Sequence, residues 1–403
     1  MSFKSVLALT VCGMAATALS ARAETIGVSS TEIKIGATFP FSGPASAFGN
    51  IGKGLLAYVR MINDRGGING RKIEFIALDD AYSPPKTVEQ TRRLVENDGV
   101  AFIFGSLGTP TNSAITKYLA SKKVPHTFII SGAAKFTNLA EYPLLTTATP
   151  SNETEARIYA RYIRSEQPDA KIAILYQNDD FGKDFVNGLR ANYKDDPDRI
   201  VASPFEVTQP TIDSQVVNLK NSGATAYLFA GSAKFAAQSI RKIYELDWKP
   251  LQITNMASSS VASVLAPAGL DRSIGLISAS YLKDLADPKW KDDPGILQYR
   301  EFMSKYAPGV DVNDNYYASG MQQGILLETL LKQCGDDLSR ENIAKQALDL
   351  KDIELPLNIP GIKVSTSPSN NQAFTQLKLQ RWNGSSWEAF GPVMGLDEAD
   401  RRP

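Results

Sequence analysis

Imidazole and thiol are almost missing from this chain: among 403 residues there are one histidine, His126, and two cysteines, Cys12 and Cys334. A single imidazole excludes a zinc site of the H-E-x-x-H kind and leaves one possible histidine base for an activated nucleophile. No G-x-S-x-G elbow accompanies it, so a secreted hydrolase would lack its usual parts. Cysteine-ligated clusters are excluded by count, and no metal or cofactor motif stands elsewhere. Gly49-Asn50-Ile51-Gly52-Lys53-Gly54 fits neither common phosphate loop and reads as a flexible entry to a helix. An excess of one charge is missing too. The 43 Lys and Arg balance 43 Asp and Glu, which leaves no basic footprint for nucleic acid.

Long apolar runs are absent except near the start. Val6 to Leu19 is mostly apolar and small, Lys4 precedes it, and Ala21-Arg22-Ala23 gives a small-x-small cleavage pattern before Glu24. Residues 1–23 are therefore expected to be a cleaved secretory signal, because a membrane span needs about 20 apolar residues. Val11 is too large for the position before a lipidated Cys12, so the exported chain is expected to carry no lipid anchor. Cleavage leaves Cys334 as the only thiol, and no internal disulfide can form. Stability must come from packing.

What is present is a regular alternation. With 43% apolar and 21% charged residues, the composition suits a soluble globular protein large enough for more than one core. Short β-rich runs alternate with amphipathic ones, the pattern of βαβ units that forces parallel sheets covered by helices. Strands are expected at 33–38, 72–78, 100–104, 125–130, 171–176, 200–205, 224–230, 251–254 and 273–278. Helices are expected at 50–64, 86–97, 111–121, 152–166, 182–193, 212–221, 233–246, 294–306, 315–333 and 340–350. Asn383-Gly384 within an alternating stretch signals a closing hairpin. Thr109, before Pro110, reads as a helix N-cap, as does Asn152 with Glu155 three residues on. Asn152-Glu153-Thr154 also matches a glycosylation sequon, which this capping explains. His126, at a strand start after Val124-Pro125, reads as structural.

Several strings together resemble one family. Phe39-Pro40-Phe41-Ser42-Gly43-Pro44, then Phe48-Gly49, Ile62-Asn63-Asp64-Arg65-Gly66-Gly67-Ile68-Asn69-Gly70-Arg71, Asp79-Asp80 and Phe104-Gly105-Ser106 are similar to the branched-chain amino-acid-binding type of periplasmic solute receptor. The resemblance covers nearly the whole chain after residue 23. It implies a type I periplasmic-binding-protein fold, α/β, with two doubly wound parallel-sheet lobes joined by a three-crossover hinge. It further implies a periplasmic location, an ABC permease as partner and a monomer. Lobe one is then expected at 24–147 and 280–356, and lobe two at 148–279 and 357–403.

Physical reasoning puts the ligand in the same place, because open parallel sheets bind beyond the carboxyl ends of their strands, where helix N-termini attract anions. The candidate residues follow from that position and the resemblance. In lobe one they are Phe41 and Phe48, the loop Ser106-Leu107-Gly108-Thr109, and the loop Ser131-Gly132-Ala133 with Lys135. In lobe two they are Asn178 and Phe181, Gly231-Ser232, and Asn255-Met256, with Tyr281 and Tyr317 near the cleft. Thr109 matches the hydroxyl that holds a ligand carboxylate in the family. Lys135 stands where amino-acid receptors have Thr, and suits a carboxylate. Ala257 replaces the acid that meets a ligand ammonium. The expected cargo is thus a small aromatic or apolar carboxylate. The alternatives are an amino acid or amide, with an acid supplied from elsewhere in lobe two, or a sensor subunit with the same cleft.

Overall fold

The computed structural model describes residues 25–395. The segment expected to be a signal, and residues 396–403, lie outside the described residues. Strands buried on both faces need helices above and below, and the first lobe is built this way. β1 (Glu32–Phe39), α1 (Gly49–Asp64), β2 (Lys72–Asp79), α2 (Pro84–Arg92), β3 (Phe102–Phe104), α3 (Thr109–Ser121), β4 (His126–Ile129) and β5 (Leu145–Thr147) follow one another. Their sheet is parallel throughout, in the order β2-β1-β3-β4-β5. Ile33, Ile35, Ala37 and Phe39 of the interior strand β1 have no exposed surface.

The chain then enters the second lobe with α4 (Asn152–Glu166), β6 (Ile172–Gln177), α5 (Asp180–Asn192), β7 (Ile200–Phe205), α6 (Asp213–Asn221), β8 (Ala226–Ala230), α7 (Ala233–Glu245), β9 (Leu251–Thr254), the single turn α8 (Ala266–Ala268) and β10 (Ile277–Ser280). It returns to the first lobe with α9 (Pro294–Tyr306), α10 (Asn315–Cys334) and α11 (Arg340–Ala347). α10 lies along α1, where the Tyr58 hydroxyl donates to Glu328 Oε2 at 2.8 Å. A hairpin of β11 (Gln376–Trp382) and β12 (Trp387–Gly395) ends the described chain. It joins β10 antiparallel and completes the second sheet in the order β12-β11-β10-β9-β8-β6-β7.

The chain therefore crosses between lobes three times. The last crossing comes later than residue 357, where it was expected. Asn371 Nδ2 donates to the carbonyls of Phe136 and Leu145 at 2.7 and 3.0 Å, which ties this segment to the first lobe.

Three local expectations are corrected. β10 starts at Ile277, not 273, because Asp271–Ser273 form a 3-10 turn and Gly275, at φ 86°, interrupts any strand there. The N-cap of α3 is Gly108, and Thr109 is its first helical residue. The N-cap of α4 is Ser151, whose side chain accepts from the Thr154 amide, one residue before the expected Asn152.

Glycines set the spacing of α1 and α10. A Cβ on Gly320 would lie 2.3 Å from the Ile51 carbonyl oxygen and 2.7 Å from Gly54 Cα, and one on Gly324 would meet the Tyr58 ring at 2.4 Å. The backbones touch with nothing between them. Gly320→Ala is expected to lower stability by about 1–3 kcal/mol through overpacking, despite the better helix propensity of Ala. Urea denaturation checks this, and an unchanged midpoint would show that the helices can part freely.

Candidate functional site

All parallel strands of a βαβ lobe send their β-to-α loops out of one edge. Here the two edges face each other across a cavity with about 1030 Å³ of empty space, partly open to solvent. The loops after β3 and β4 form one wall. The Leu107 amide donates to the Thr38 carbonyl, and the Gly108 amide to the Ile130 carbonyl, at 3.1 Å each. Gly108 sits at φ 108°, and a Cβ there would meet the Tyr82 ring at 2.6 Å, so only glycine allows this tight turn into α3. No side chain caps the start of α3. Beside it the Thr109 and Ser131 hydroxyl oxygens are 2.7 Å apart. Two hydroxyls and a helix N-terminus at one point can hold a carboxylate.

The opposite wall belongs to the second lobe. Gly132 meets it so closely that a Cβ would lie 2.2 Å from the Pro150 carbonyl oxygen. Glu155, on α4, lines the cavity and is 3% exposed. Its Oε1 accepts from the Met256 amide at 2.5 Å and from the Tyr159 hydroxyl at 2.8 Å. Burial pushes its carboxyl up to about 7, against the pull of those two donors. Apolar surface fills the remainder. Phe48 packs edge-on against Tyr316 with centroids 5.3 Å apart, Tyr281 stacks on Phe374 at 4.2 Å, and Phe181 leans on Phe185. Among the described residues, four lining side chains bury a polar atom that has no hydrogen-bond partner: Thr149 Oγ1, Ser232 Oγ, Asn315 Oδ1 and Gln323 Oε1.

Contacts bridge the lobes around the cavity. The Tyr316 hydroxyl donates to the Ala257 carbonyl at 2.7 Å, the Ala134 amide donates to Asp184 Oδ2 at 2.8 Å, and Gln177 Nε2 lies 3.5 Å from the Tyr82 hydroxyl. Burial also pushes Asp184 up to about 7. The cleft is closed.

Of the residues singled out from sequence, Phe48, Leu107, Gly108, Thr109, Ser131, Gly132, Phe181, Gly231, Ser232, Met256 and Tyr281 line the cavity. The others do not. Lys135, expected to meet a ligand carboxylate, instead pairs across the cleft with Asp180, Nζ to Oδ2 at 2.6 Å. Ser106 supports the wall from behind, its hydroxyl accepting from the Thr38 amide and its carbonyl from Asn112. Asn255 Oδ1 accepts from the Gly231 amide. Asn178 donates to Glu206, Phe41 packs on Phe39, and Ala133 is buried beside Phe136. Tyr316 is a lining residue where Tyr317 was expected. Tyr82, Glu155 and Gln177 were not anticipated as lining residues. An acid inside an apolar helix face was the available signal for Glu155.

His126 lies behind this wall, its Nε2 2.9 Å from Asn112 Oδ1, and burial lowers its pKa to about 3. Among the described residues, no cluster suited to a metal is present and no helix is long and apolar enough to cross a membrane.

Comparison with known proteins agrees with this geometry. The model of the family described as periplasmic binding protein matches residues 32–386. Leu/Ile/Val-binding protein homolog 7 of Brucella melitensis biotype 1 is 24% identical over 409 residues, with 98% of each chain covered. Among solved structures, a branched-chain amino acid ABC transporter protein from Thermus thermophilus with bound valine superposes with a TM-score of 0.82 at 16% identity, covering 92% of this chain and 98% of that one. A solute-binding protein of an R. palustris ABC transporter, in complex with benzoate, gives 0.76 at 20% identity, covering 91% and 98%.

The raised Glu155 carboxyl has a signed consequence for the unliganded protein. Between its ordinary 4.5 and about 7 the folded chain holds a proton that the unfolded chain releases, so stability falls as pH rises through that window. At roughly 1.4 kcal/mol per pKa unit, this share amounts to about 3 kcal/mol. Asp184 adds a similar slope. Glu155→Gln is expected to remove one share and flatten the fall, as read by denaturant midpoints from pH 4.5 to 7.5. An unaltered slope would place the titration elsewhere.

Proposed function

The chain belongs to the periplasmic binding protein family, and from that premise we propose that it is the solute-binding component of an ABC importer for small, mainly apolar carboxylates. The single observation that carries the cargo class is the joining of two kinds of surface in one closed cavity. The Thr109–Ser131 hydroxyl pair and the uncapped start of α3 offer donors at one point. Phe48, Phe181, Met256, Tyr281 and Tyr316 supply apolar contact around it. The carboxylate needs no lysine, because charge-assisted hydrogen bonds at a helix N-terminus suffice. Lys135 serves closure instead.

In this reading residues 1–23 direct export and are removed, the mature chain works as a monomer, and the permease reads the closed form. Ligand binding favours closure because both walls touch the cargo only in that state. The valine and benzoate bound to the two structural relatives are both carboxylates, in keeping with the proposal. His126, the one imidazole of the chain, is buried, bonded to Asn112 and outside the cavity lining.

Thr109→Val is expected to weaken a bound carboxylate about tenfold or more, the usual effect of losing a hydrogen bond to a charged group. Titration calorimetry with benzoate, 4-methylpentanoate, leucine, benzamide and 4-methylpentanol checks both the class and the residue. Tight binding of the amide or alcohol, with no acid bound, would overturn the assignment.

A further inference from the structure

A second polar element of the cavity is not accounted for by an apolar carboxylate. Glu155 is buried in the lining, and its two oxygens differ in their surroundings. Oε1 takes both available protein donors, the Met256 amide and the Tyr159 hydroxyl. Oε2 accepts no hydrogen bond from any described residue. Among the described residues, no Lys, Arg or His lines the cavity, and Lys135 is held by Asp180. Without a cation beside it, burial keeps much of the Glu155 carboxyl protonated near neutral pH, and an incoming ligand carboxylate opposes its ionised form in the same poorly hydrated space. Of the three lining tyrosines, Tyr316 already donates to Ala257, and among the described residues neither Tyr82 nor Tyr281 is hydrogen-bonded to Glu155. Ser232, on the same side of the cleft, buries an oxygen with no hydrogen-bond partner among the described residues. This wall is built for a polar group, while Phe48, Phe181 and Met256 are built for an apolar one.

We propose that Glu155 is a specificity-determining residue whose Oε2 receives a hydrogen-bond donor from the cargo, so that the receptor selects carboxylic acids bearing a hydroxyl or an ammonium over unsubstituted ones. This rests on the carboxylate reading above and narrows it. A site built around a hydrogen-bonding partner rejects the analogue that lacks it, because the buried group is then left unpaired. The hydroxyl of a phenolic acid and the α-ammonium of an apolar amino acid supply the same chemistry from two sources, and matched pairs of ligands separate them.

The test is titration calorimetry on the purified protein with 4-hydroxybenzoate against benzoate, and leucine against 4-methylpentanoate, repeated on Glu155→Gln. The donor-bearing member of at least one pair is expected to bind about tenfold or more tightly than its partner. In Glu155→Gln that ratio is expected to fall to within about twofold, with the unsubstituted acid bound as well as before or better, since the opposing charge is gone. Leucine alone showing the preference identifies an ammonium, and 4-hydroxybenzoate alone a hydroxyl. Unsubstituted acids binding wild type as tightly as their partners would overturn the inference and leave the carboxylate reading standing. A ratio that survives Glu155→Gln would overturn it too. Binding of none of the four acids would overturn both. Wild-type ratios near one overturn the inference even if the variant fails to fold, which its melting curve reports.

Discussion

The cavity exists because parallel pairing leaves a sheet no choice about where its loops emerge. A strand joined to a parallel neighbour must be followed by a crossover, and because such strands all point the same way every β-to-α loop leaves at the same edge. Each lobe therefore has one edge rich in helix N-termini and in backbone groups without strand partners. Turning two such edges toward each other makes a chamber whose polar fittings come from the fold itself. Thr109 and Ser131 refine that supply without creating it.

Closure uses few and short contacts. Lys135 with Asp180, the Ala134 amide with Asp184, and the Tyr316 hydroxyl with Ala257 span the gap at separate points around the rim. Exposed ion pairs contribute little stability, and Lys135 and Asp180 are both partly exposed. Such a rim can hold the lobes in register without locking them. Within a lobe the opposite holds, since glycine contacts between α1 and α10 leave no space for internal sliding.

Much of the fold was legible because periodicity and burial coincide in α/β lobes. α4, α9, β7 and β9 have the very bounds that spacing gives. Caps were less legible: Ser151 and Gly108 displaced Asn152 and Thr109 because a neighbouring residue was also able to terminate the helix. The site was readable where it lay in loops after strands. It was less readable where a lining residue sat beyond the first turn of a helix. Glu155 occupies a core-facing position of α4, where an acid among apolar neighbours is the one signal the linear pattern carries. Tyr316 and Tyr317 differ by one step of about 100° around α10, and only the packing against Phe48 decides between them. Lys135 was misplaced because a charge beside the cleft found a partner on the other lobe before it could reach the interior.

The late position of two sets of elements constrains how the chain acquires its shape. The first lobe lacks α10, the partner of α1, until Cys334 has been made, and the second sheet lacks its last two strands until Gly395. A chain that emerges amino end first, from a ribosome or through a pore, thus has long exposed apolar strands and neither lobe complete until almost all of it is out. Such a delay leaves hydrophobic segments of the half-emerged chain without their partners until its last elements follow.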